Sequence, residues 1–116
     1  MGFRENATQG IRIAPTEVFQ QELVAAPAAG KIRFVINYII SLNVVLGIAP
    51  FVTIYKKKAG TLYFISTEFA YNTSPASGTI ERRLQLVNTD ESFVFETNGG
   101  LIDSDVTWNV AWGEID

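Results

Sequence analysis

The stretch FVINYIISLNVVLGIAPFVTIY, from Phe34 to Tyr55, decides the fold. It carries no charged residue, and its length alone suits a membrane-spanning helix. Its composition argues the other way. Val, Ile, Phe and Tyr dominate, and these side chains fit a pleated surface better than a helix. Asn37, Ser41, Asn43, Gly47 and Pro50 interrupt it, and unpaired Asn and Pro are costly in hydrocarbon. It therefore reads as two buried strands with a break across Asn43, Gly47 and Pro50.

The first strand begins at Lys31 as KIRFVINYIISLN. Alternation places Ile32, Phe34, Ile36, Tyr38 and Ile40 on one face and Arg33, Val35, Asn37, Ile39 and Ser41 on the other. The first face is the predicted core face. The second strand runs from Phe51 to Lys56. Lys56, Lys57 and Lys58 with Ala59 and Gly60 form a solvated hairpin tip, and Thr61 to Ser66 returns antiparallel.

Upstream, residues 1–10 are polar and aperiodic, and read as a flexible N-terminal arm before a domain of residues 11–116. Such an arm either stays disordered or orders against a neighbouring subunit. Ile11 to Ile13 suggests a short strand ended by Pro15. Thr16 to Val24 reads as a half-exposed strand, with a short amphipathic helix as the alternative. Ala25 to Gly30 is a turn, because Pro27 fixes φ and Gly30 tolerates positive φ.

Downstream, Thr67 to Gly78 is a polar loop whose Phe69 and Tyr71 either anchor it or meet a partner. Thr79 to Val87 alternates, with Ile80, Leu84 and Leu86 inward and Glu81, Arg83 and Gln85 outward. Arg82 falls on the inward side near the strand end. Asn88 to Asp90 is a turn, and Ser92 to Thr97 is a strand stopped by Asn98, Gly99 and Gly100. Asp105 to Ile115 puts Val106, Trp108, Val110 and Trp112 on one face. The sum is all-β: an antiparallel β-sandwich, jelly-roll-like, of about seven to eight strands. Phe34, Ile36, Tyr38, Leu84, Leu86, Val106, Trp108 and Val110 are expected in its core.

The same 116 residues exclude much chemistry. There is no Cys, so disulfides and thiolate catalysis are absent, and no His, the commonest general base and metal ligand. A net charge of −3 gives no footprint for nucleic acid. The N-terminus lacks an apolar signal region, and Asn6 breaks the myristoylation pattern after Gly2, so a soluble protein made in the host cytoplasm is expected. Sequons at Asn6 and Asn72 then read as chance matches.

Few acids suggest a site. Asp103 and Asp105, with Asp90 or Glu91, could offer calcium an oxygen-rich cage, though turn acids are the simpler reading. Glu17, Glu22, Glu81 and Glu96 lie on different strands, with no spacing that supports a catalytic carboxylate pair. No catalytic, cofactor or metal site is expected, and the chain reads as a non-enzyme.

Two segments carry a resemblance. One is Leu23-Val24-Ala25-Ala26-Pro27-Ala28-Ala29-Gly30-Lys31-Ile32, leading into a long apolar strand. The other is Ser92 to Thr97, a Gly-rich turn, and the alternating strand from Asp105 to Trp112. In these ends, in length and in element order, the chain resembles small virion structural proteins of tailed bacteriophages. It departs from them at Trp112, where such chains often have Tyr. The resemblance implies a capsid decoration (cement) protein that binds and stabilises the assembled shell. A tail, fibre or head-fibre component is the alternative within that class. The implied partners are identical subunits, as a homotrimer, and capsid or tail proteins, with neither nucleic acid nor membrane, and the implied location is the virion. A carbohydrate-binding module is the rival from another class, with Tyr71, Trp108 and Trp112 as stacking platforms. The face shared by the tryptophans with Val106 and Val110 favours burial instead.

The apolar content also exceeds what one core needs. Phe51, Tyr55, Tyr63, Phe69 and Phe93 cannot all face inward while Val52, Ile54 and Val94 claim the opposite side. Some apolar surface is therefore expected outside, where it marks an interface.

Overall fold

Short apolar strands joined by Gly- and Pro-bearing turns bury themselves by pairing antiparallel and stacking two sheets face to face. The computed structural model describes residues 3–12, 20–43, 51–69, 76–97 and 105–116. Among them eight strands form: β1 (Phe3–Arg12), β2 (Gln20–Val24), β3 (Ile32–Asn43), β4 (Phe51–Lys58), β5 (Thr61–Phe69), β6 (Ala76–Leu86), β7 (Glu91–Thr97) and β8 (Asp105–Ile115). One sheet has the order β1-β8-β3-β6 and the other β2-β7-β4-β5, with every pairing antiparallel. The pairs nest around the β4–β5 turn: β4 with β5, β3 with β6, β2 with β7, β1 with β8. The molecule is an antiparallel β-sandwich, 48 × 26 × 22 Å.

Local chemistry sets the turns. Ala59 and Gly60 both take positive φ (49° and 83°), as a two-residue hairpin of matching twist requires. Gly30 does the same at φ 82°, where the amide of Lys31 donates to the carbonyl of Ala28. The Ala25–Gly30 turn thus falls where the sequence places it, whereas the expected lysine tip shrinks to Ala59 and Gly60, because Lys56, Lys57 and Lys58 continue β4 and Lys56 pairs with the buried Glu91.

The core is filled from both sheets. Val35, Tyr38, Ile40, Leu42, Ala76, Leu86, Val106, Trp108 and Val110 meet Leu23, Val24, Val52, Ile54, Phe93 and Phe95. Tyr38 lies 6.2 Å from Phe93 between ring centres, and Phe95 lies 5.8 Å from Trp108, both tilted pairs that tie the sheets together.

Several expectations need correction. The predicted core face of β3 holds only in its second half. A bulge between Val35 and Asn37 leaves Ile36 as an extra residue, so the strand changes parity there. Val35 points inward before the bulge, and Tyr38, Ile40 and Leu42 after it. Phe34 and Ile36, expected in the core, are half-buried, and so is Leu84. A second bulge, between Glu22 and Val24, buries both Leu23 and Val24. β5 continues to Phe69 and β6 begins at Ala76, so the expected Thr67–Gly78 loop is shorter at both ends.

The expected N-terminal arm is the largest difference. Phe3 to Arg12 forms β1, in unbroken register with Ile115 to Val106 of β8. Backbone pairing and a few polar contacts hold it, so its polar composition concealed a strand. Residues 13–19, including Ile13, Pro15, Glu17 and the start of the Thr16–Val24 strand, lie outside the described residues.

Candidate functional site

Charged and hydroxyl groups inside the sandwich come first, since chemistry would need them. Tyr38 projects from β3 toward β5, where its hydroxyl donates to Glu68 and lies 3.5 Å from Ser66 Oγ. Burial, then the bond to Glu68, pushes the Tyr38 hydroxyl up to about 12. A phenol held neutral by a carboxylate is a cross-sheet tie rather than a base at neutral pH. Gly78 makes room for it: a Cβ there would sit 3.1 Å from the Tyr38 oxygen.

Glu91, at the start of β7, is buried, and its carboxylate lies 2.6 Å from Lys56 Nζ. It also accepts from the amides of Val87 (2.8 Å) and Asn88 (2.9 Å). Burial raises its pKa, but the lysine and the two amides prevail, and the net direction is down. The group caps the β6–β7 turn and joins it to β4.

Glu114 is the hub of a third cluster. Arg33 Nε and Arg4 Nη2 each donate to it at 2.9 Å, and Lys31 lies 3.6 Å away. The Arg33 bond is the main cause of its lowered pKa, against an opposing effect of burial. Arg33 also stacks 4.6 Å from the Trp112 ring centre and donates to the carbonyl of Ala25. Each cluster is locally satisfied, and no buried side-chain N or O atom among the described residues lacks a partner. All three are structural in geometry.

The outer faces differ from the interior. On the second sheet, Glu22, Val94, Tyr55 and Phe64 form one row across β2, β7, β4 and β5. Gln20, Glu96, Thr53 and Thr67 form the next, with Thr53 Oγ1 3.2 Å from Thr67 Oγ1. Phe64 is 66 % exposed and Phe51 is also exposed, while Tyr63, 53 % exposed at the β5 edge, stands opposite Lys56 on the other side of the sheet. On the first sheet, Ala7, Gln9 and Ile11 of β1 meet Ala111, Asn109 and Thr107 of β8, which in turn meet Asn37, Ile39 and Ser41 of β3. None of these nine side chains is charged. Ile11 and Ile39 are 58 % and 50 % exposed, and an open depression lies among Gln9, Gly10, Ile39, Thr107, Trp108 and Asn109.

The candidate site residues fare as follows. Asp103 and Tyr71 lie outside the described residues. Asp105 stands opposite Asn43 in the first sheet, and Glu91 opposite Lys58 in the second. The calcium reading therefore loses Glu91, whose carboxylate is taken by Lys56 and two amides, and no metal-holding acid cluster occurs among the described residues. Glu22 and Glu96 fall diagonally on one outer face, Glu17 lies outside the described residues, and Glu81 belongs to β6 in the other sheet. Trp108, at 9 % exposed, is in the core as expected. Trp112 is half-buried and donates to Thr8 Oγ1 at 2.9 Å, so neither tryptophan offers a free stacking face. The buried role of Glu91 leaves no mark in the sequence, because its lysine comes from a strand distant along the chain. The exposure of Phe64 has no local signal in the sequence beyond the surplus of aromatics over core positions.

No protein-family model matches the chain, and no curated protein matches it. Solved structures do. A chain from the acidic stable capsid structure of Helicobacter pylori bacteriophage KHP30 superposes with a TM-score of 0.54 at 13% identity, covering 97% of this chain and 93% of that one. The crystal structure of FLHE superposes at 0.50 with 12% identity, covering 98% and 97%. A chain of the Bacillus endospore appendages, a family of disulfide-linked pili, superposes at 0.49 with 14% identity, covering 95% and 86%. At such identities the likeness is one of fold.

Proposed function

We propose that this chain is a non-enzymatic virion structural protein, of the capsid-decoration kind, that works by adhesion to identical subunits and to the shell beneath them. One observation carries the reading: apolar side chains stand on both outer faces of a sandwich whose core is already filled. Phe64 and Phe51 lie on the outer face of one sheet and Ile11 and Ile39 on that of the other. Such residues lose nothing inside the fold and gain by burial against a partner. The likeness in fold to a chain of a phage capsid supports the same class. We read the nested strand order as the winding of a jelly roll, a fold that capsid domains and lectins both use. Decoration stabilises by mass action, because the protein binds the assembled shell in preference to its parts. A closed homotrimer is the form we expect.

Mass measurement of the purified protein at micromolar concentration, followed by binding to undecorated particles, tests this. Oligomers that bind particles and raise their disruption temperature are expected. A persistent monomer that ignores particles, or binds a glycan through Phe64, overturns the proposal.

A further inference from the structure

Among the described side chains, the edge strands β1 and β5 place none in the buried core, and of the two only β5 packs a half-buried apolar side chain, Ile65, against it. The inward positions of β1, set by the register against β8, are Arg4, Asn6, Thr8, Gly10 and Arg12. None is apolar, and none of residues 4–12 belongs to the buried core. Its exposed apolar side chain, Ile11, points the other way. Removing residues 4–12 therefore takes no hydrophobic side chain from the interior.

What β1 does supply is a set of keys that fit β8 in one register. Gly10 lies opposite Trp108, and a Cβ there would come within 2.4 Å of the indole. Thr8 accepts from Trp112 Nε1 at 2.9 Å. Arg4 donates to Glu114 at 2.9 Å and lies 3.1 Å from Asp116. A gap, a hydroxyl and a cation are spaced along one strand to meet two indoles and two carboxylates on β8 and its end. Without β1, the β8 edge and the flanks of both tryptophans would face water, so the slot needs an occupant carrying the same keys. Those keys recognise β8 whichever chain presents them. The choice between the chain's own β1 and a neighbour's is set by connectivity and local concentration. Ile11, exposed on the outer face of β1, and Ile39, exposed on β3 across β8 from it, give a second copy apolar surface to cover.

We infer that β1 is an exchangeable strand, which pairs with β8 of a second copy of this chain in the same register. This deepens the assembly reading by naming a like subunit as the partner.

The chain has no cysteine, which permits a direct test. Ala7 and Ala111 stand opposite one another on the outer face. Ala7→Cys and Ala111→Cys are made as separate full-length variants, unfolded together in denaturant, refolded as a mixture and oxidised. Exchange gives a covalent product of twice the chain mass, linked between positions 7 and 111 by peptide mapping. It should dominate both like-with-like products and increase with concentration during refolding. The pair Gln9→Cys and Asn109→Cys, also opposite and exposed, repeats the test should the first pair disturb folding. Absence of the mixed product, or a 7-to-7 link showing two β1 edges side by side, overturns the inference. The readout needs no particle: a 7-to-111 link without particle binding leaves exchange standing and removes the virion role, and the converse removes exchange alone.

Discussion

β7 and β1 are both strands of one small sandwich, and they are held in opposite ways. β7, Glu91 to Thr97, is buried at every position except Glu96, which is half-buried. Phe93 and Phe95 fill the core, while Val94 on the outer side is only 2 % exposed between Glu22 of β2 and Tyr55 of β4. β1 has neighbours on one edge, a polar inward column and mostly exposed side chains. A central strand buried on both faces stores the stability of the fold. An edge strand held by backbone pairing and polar keys stores specificity and little hydrophobic energy. The strand that carries many buried side chains, β7, is thereby distinct from the edge strand β1, which carries few.

The sharpest way to break this contrast is in β7. Phe95→Ala should destabilise the protein by about 3–5 kcal/mol, read from denaturant unfolding, because it opens a cavity against Trp108. Glu91→Ala should come next, at about 2 kcal/mol, since it leaves two turn amides and Lys56 without their acceptor. In β1, Gly10→Ala should cost about 1–2 kcal/mol by overpacking against Trp108, and amide exchange should show the loss confined to β1 and β8. A loss as large as that of Phe95→Ala would mean that β1 is as integral as β7.

Acid sharpens the comparison further. Glu114 anchors β1 and has its folded-state pKa below the ordinary 4.5. Its contribution is complete above 4.5 and disappears as pH falls through the lowered value. Amides of β1 should exchange faster over that range, and Glu114→Gln should flatten the response. The smallest effect on stability belongs to Phe64→Ser, expected within about 0.5 kcal/mol because the side chain is mostly in water. Its effect should appear instead as weakened oligomers or particle binding, measured by light scattering and co-sedimentation.

Residues one to ten show where sequence reading failed and why. Polarity and lack of periodicity are what a tail looks like, yet pairing needs only backbone N–H and C=O groups, which every non-proline residue carries. Phe34 and Ile36 failed for a different reason. Period-2 alternation locates a core face only while the register runs unbroken, and the Val35–Asn37 bulge reverses it. The polar clusters were illegible, since Lys56 finds Glu91, and Tyr38 finds Glu68, only after strands far apart in the chain have been brought together.

The sequence alone suffices to show that the chain is all-β, with turns at Ala25–Gly30, at Ala59 and Gly60 within the expected Lys56–Gly60 tip, and at Asn88–Asp90. β-branched and aromatic runs, and residues that tolerate positive φ, act locally. It also determined that His and Cys chemistry is absent, and that apolar side chains outnumber core positions. Tertiary structure alone decided which of those side chains face out, because bulges set parity and sheet order sets neighbours. It alone decided that Trp108 and Trp112 are occupied by Gly10 and Thr8 rather than open to a ligand. Those contacts join positions nearly a whole chain apart, and no local propensity specifies a partner at that distance.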